Sequence, residues 1–90
     1  MSLIKRVVLD VLKPLHPNAL EFASAIADQN DACRVKITVT EVDEKTETTV
    51  VVVESDDIPY EQIVATISGL GGSVHSIDEV VVTSSPTVEA

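Results

Sequence analysis

The stretch from Gly71 to Thr83, GGSVHSIDEVVVT, constrains the fold more than any other part of the chain. Paired glycines stop a preceding helix, because glycine enters the left-handed conformation without a Cβ penalty. The residues behind them are valine-rich and suit an extended strand. Upstream, Ile63, Val64, Ile67 and Leu70 recur at helical spacing. The segment reads as helix, glycine stop and strand, which places both elements on a sheet.

The remainder follows the same logic. Leu3 to Leu12 reads as a strand with apolar groups on both faces, the mark of a central position. Pro14 and Pro17 break it. Asn18 to Glu21 resembles a capping box, and Ala19, Phe22, Ala23 and Ile26 then follow a helical stripe that fades at Gln29-Asn30. Arg34 to Val42 alternates, Asp43 to Lys45 turns, and Thr46 to Glu54 returns, which makes a hairpin. Val50 to Val53 is apolar on both faces, again a central-strand mark. Asp57 reads as the N-cap of the second helix, with Pro59 in its first turn.

The order strand, helix, strand, strand, helix, strand predicts an α+β, ferredoxin-like βαββαβ sandwich. Right-handed crossovers put both helices on one face of a four-stranded antiparallel sheet of order 4-1-3-2. Residues 1–83 form one domain and 84–90 a loose tail. The predicted core is Leu9, Val11, Phe22, Ile26, Ile37, Val39, Val51, Val53, Ile63 and Ile67.

Three segments carry a likeness to a known family: VVLDVLKP from Val7, TEVDEKTE from Thr40 and GGSVHSIDEVV from Gly71. The chain resembles the small archaeal proteins of domain of unknown function family 211. The resemblance implies a ferredoxin-like fold and self-assembly. It brings no established activity and no catalytic residue.

Net charge is −9, from 15 acidic and 6 basic residues, which argues against a nucleic-acid partner. The only aromatics, Phe22 and Tyr60, fall on predicted helices, so no sheet aromatic can stack a base. No apolar run approaches the roughly 18 residues of a membrane span, and no signal peptide is visible. Cys33 is the single cysteine, so no intrachain disulfide can form and a cytoplasmic location is expected.

Candidate chemistry is sparse. If Asp43 to Lys45 make the turn, hairpin residues whose numbers sum to roughly 88 face each other. Arg34 then meets Glu54, and Asp10 on the first strand approaches Ser76 or Asp78, so one end of the open face gathers Arg34, Glu54, Asp10 and Asp78. The carboxylates of Asp10, Asp78 and Glu79 form a candidate site for a hard cation, calcium or magnesium. The competing reading pairs them with Arg34, Arg6 or a neighbouring subunit. His16 and His75 stand at different strand ends without a metal-ligand spacing. Ser73, His75 and Ser76 are near in sequence, but no third group completes a nucleophilic constellation.

These residues point to a non-enzymatic, self-assembling protein, with a divalent cation as candidate ligand. The alternative is a small-molecule-sensing regulatory module whose ligand sits at a subunit interface. Two helices on one face leave the other bare, there carrying Ile4, Val8, Leu12, Val50, Val52, Val80 and Val82. The expected state is a homo-oligomer larger than a dimer, with Arg34, Asp10 and Asp78 as a polar border.

Overall fold

A computed structural model describes residues 2–84. Six elements follow the anticipated order: β1 (Ser2–Pro14), α1 (Ala19–Ala27), β2 (Arg34–Val42), β3 (Thr46–Glu54), α2 (Tyr60–Gly69) and β4 (Ser73–Ser84). The four strands form one antiparallel sheet in the order β2-β3-β1-β4, the expected 4-1-3-2 read from the other edge. β4 reaches Ser84, one residue past the expected domain end, and 85–90 of the expected tail lie outside the described residues.

The two central strands carry the core. Val7, Leu9 and Val11 of β1 and Val51 and Val53 of β3 are buried in one cluster with Phe22 and Ile26 of α1, Ile63 and Ile67 of α2, and Ile58. Both helices therefore cover the same face of the sheet. Ile37 and Val39, expected in the core, are only half-buried. β2 is an edge strand with a neighbour on one side, so its inward side chains lie at the rim of the helical layer.

Local signals account for most element ends. The Asn18 side chain accepts from the Glu21 N–H at 2.9 Å, and the Glu21 carboxylate accepts from the Asn18 N–H, a complete capping box. α2 ends in a Schellman motif: Gly72 N–H donates to Ile67 O, Gly71 N–H donates to Ser68 O, and Gly71 has φ +87°. Two ends differ from expectation. Pro59, not Asp57, occupies the N-cap of α2, while the Asp57 carbonyl accepts from Asn30 Nδ2. β1 continues through Pro14, opposite Thr46. Leu15 N–H donates to Lys45 O, so the Pro14 nitrogen points away from β3, toward the side where β4 has already ended.

Bulges set which side chains face which way. The β1–β4 register slips at Lys5 on β1 and at Asp78 and His75 on β4. Each extra residue shifts the in–out alternation by one. Ile4, expected on the bare face, packs against the core instead. Val80 lies opposite Val7 and Val82 opposite Ile4, so both turn to the helix side, and Val81, opposite Arg6, takes the bare face. Val8, Val50 and Val52 lie on the bare face as anticipated, between the buried positions of their strands.

Candidate functional site

The bare face of the sheet presents two shallow hollows. Their geometry follows from the register. Arg6, Glu54 and Arg34 stand in one row across β1, β3 and β2, and Val8, Val52 and Lys36 stand in the next. Arg6, Arg34, Lys36, Val52 and Glu54 line the first hollow. Glu54 links the two arginines: one oxygen accepts from Arg6 Nη1 at 2.8 Å and the other from Arg34 Nη1 at 3.3 Å. Glu79 of β4 accepts from Arg6 Nε at 2.5 Å. The hydrogen bonds from Arg6 to Glu79 first, and to Glu54 second, push the guanidinium pKa above its ordinary value. The hairpin register of Arg34 opposite Glu54, with its sum of 88, is the one anticipated.

The second hollow lies further along the same face and is lined by Asp10, Leu12, Thr48, Ser73 and His75. Asp10 sits opposite Ser76, as anticipated, but four positions along β1 from Arg6. The expected gathering of Arg34, Glu54, Asp10 and Asp78 at one end is thus replaced by Arg34, Glu54, Arg6 and Glu79. Asp78 accepts from the Ser76 hydroxyl at 2.7 Å. Asp10, Asp78 and Glu79 do not converge as a donor set: Glu79 is engaged by Arg6 and Asp78 by Ser76. Among the described residues no three His, Cys, Asp or Glu side chains come together as a metal site. His16 is exposed in the β1–α1 connection and does not line the hollow that holds His75. Cys33 is half-buried against the core, and burial pushes its thiol pKa up.

One polar arrangement escaped sequence reading. Lys13 is fully buried, with its ammonium paired to Glu47, donating to Pro14 O at 2.7 Å and lying 5.8 Å from the Phe22 ring centroid. Its neighbour on the inner face, Thr49, donates its hydroxyl to Val11 O at 2.7 Å. Both buried groups are satisfied, as burial of polar atoms requires. The signal was present: Lys13 continues the odd-numbered inward series Val7, Leu9, Val11, and only the assumed strand end at Leu12 hid it. Arg6 needed a pairing sum of 60 between β1 and β3, which no turn announces because α1 and β2 intervene.

No helix among the described residues is long and apolar enough to cross a membrane. Comparison with known proteins finds one family model, DUF211, described as an uncharacterised ArCR, which matches residues 5–89. An uncharacterised protein of Methanocaldococcus jannaschii is 41% identical over 81 residues, covering 90% of this chain and 84% of that protein. The span matched by the family model contains the residues lining both hollows described above, and the chain belongs to the DUF211 family.

Proposed function

We propose that this protein is a non-enzymatic, self-assembling module with a ferredoxin-like fold, whose copies associate through β4 and the bare face of the sheet. The observation that carries the reading is the exposure of the outer strand. Ile77, Val80, Val81 and Val82 are between 41% and 54% exposed, four neighbouring large apolar side chains on one free edge. Natural proteins blunt such edges with charge, proline or a covering element, because unpaired strand backbone beside apolar side chains invites pairing.

The bulges divide the apolar surface in two. Ile77, Val80 and Val82 face the helix side, while Val8, Val50, Val52, Val81 and Leu12 face the other. Two different patches on one copy favour contact with two different neighbours, which yields assemblies larger than a dimer. The Ser76 hydroxyl donates to Asp78 and not to His75, so these two neighbours do not form a serine–histidine pair.

Sedimentation velocity of the full chain at micromolar concentration tests the reading. A species larger than a dimer is expected, and Val80→Lys is expected to reduce it to a dimer or smaller by removing one of the two contacts, since an unpaired buried charge is costly. A wild-type monomer, or an assembly indifferent to Val80→Lys, rejects it.

A further inference from the structure

Three of the six basic residues in a chain of net charge −9 meet in one hollow. We infer that this hollow, formed by Arg6, Arg34, Lys36, Val52 and Glu54, binds a small oxyanion: a carboxylate or phosphate group on a molecule of few heavy atoms. The hollow lies on the bare face proposed to meet another copy, toward its β2 edge, and the inference is argued from the residues of one chain alone.

Charge is the first argument. Arg6, Arg34 and Lys36 contribute three positive charges, and Glu54 and Glu79 contribute two negative ones, leaving a local surplus of +1 on an acidic surface. Arg6 is held at both ends by carboxylates and is pre-set. Arg34 is not: its one contact to Glu54 is 3.3 Å long, and its side chain is 78% exposed. Lys36 is exposed and makes no ion pair with the described residues. Arg34 and Lys36 thus offer unused donors on one side of the hollow, beside the fixed Arg6–Glu54 pair.

Shape is the second. Lys36 is opposite Val52 and Arg34 opposite Glu54, so the two cationic side chains rise from β2 on the same face, two residues apart. Val52 is apolar and half-buried, which lowers water access on one side of any bound group. A guanidinium fork and a neighbouring ammonium match the oxygens of a carboxylate or phosphate. The hollow measures about 170 Å³. Pockets for drug-sized ligands measure roughly 300–1,000 Å³, so this hollow suits a short acid or inorganic phosphate. The global negative charge excludes a polyanion.

The test is calorimetric titration of the full chain with sodium phosphate and, separately, sodium malonate, with chloride at matched ionic strength as reference. Saturable binding of either is expected, and which one binds assigns the oxyanion. Lys36→Gln and Arg34→Gln should each weaken it about tenfold or more, the loss expected for a charged hydrogen bond. Both residues are exposed, and unchanged melting temperatures establish that the fold is retained. Sedimentation of the same samples reads assembly separately from binding. No saturable binding of either salt, or affinity unchanged in both variants, overturns the proposal.

Discussion

β1 and β4 are paired along most of their lengths and are both rich in β-branched residues, yet their inward side chains have opposite fates. Val7, Leu9 and Val11 of β1 are buried to within 1%. Their partners Val80, Ile77 and Val74 on β4 are exposed, exposed and half-buried. Residue type does not separate the strands, but position does. β1 has a strand on each side and two helices above its inner face, whereas β4 has one neighbour and a free edge. An apolar side chain is as buried as the elements around it permit, and the hydrophobic stabilisation it contributes scales with the area covered.

The contrast can be broken at several points. The largest effect belongs to the buried end of β1. Lys13→Ala leaves Glu47 without its partner, and chemical denaturation should show a loss of about 3–5 kcal/mol. Glu47→Gln on the Lys13→Ala background should recover part of it, because the orphaned charge is gone. No recovery would mean that Lys13 acts by packing over Phe22 rather than through its charge.

Next comes the direct pair. Leu9→Ala should destabilise by about 2–5 kcal/mol, as should Ile63→Ala above it, since both leave cavities in a closed core. Ile77→Ala, opposite Leu9, should cost the isolated subunit less than about 1 kcal/mol. Equal losses at Leu9 and Ile77 would show that something covers β4 even in the monomer.

The entry to β4 sharpens the comparison further. Gly71 has φ +87°, and a Cβ there would come within 3.3 Å of Pro14 Cγ on β1. Gly71→Val should cost more than Gly71→Asn, because asparagine tolerates the left-handed region and a β-branched residue does not. Matching melting temperatures for the two variants would reject the left-handed cap as the reason for glycine. The smallest folding effect belongs to the middle of β4. Val80→Lys should change monomer stability by no more than about 0.5 kcal/mol, the range of ordinary surface substitutions. A large loss in the monomer would place Val80 in a core it does not belong to.

Much of this was legible from the residues. The far half of the β2–β3 hairpin takes the anticipated register, Arg34 opposite Glu54 and Thr38 opposite Val50, although a bulge at Thr40 shifts the pairing by one next to the turn. The capping box at Asn18 and the glycine stop at Gly71 were equally plain, since each is decided by atoms within about six residues. The bare face was read less well. Strict alternation placed Ile4, Val80 and Val82 there, and the bulges at Lys5 and Asp78 reversed all three. A bulge has no single sequence signature, and one extra residue inverts every side chain beyond it. The candidate cation site failed to gather for a related reason. Asp10 and Glu79 meet different rows of the sheet, and Glu79 pairs with Arg6 at 2.5 Å instead.

By itself the sequence determined the succession of six elements, the pairing of β2 with β3 and the two central strands, all through local spacing and short turns. Tertiary structure alone decided what meets across long separations: Arg6 with Glu79, 73 residues apart, and Lys13 with Glu47, 34 apart. Those contacts depend on how β1 slides against β3 and β4, which no turn joins to it directly. Their register is set by the total fit of core, bulges and ion pairs, a quantity that belongs to the assembled sheet and to none of its strands alone.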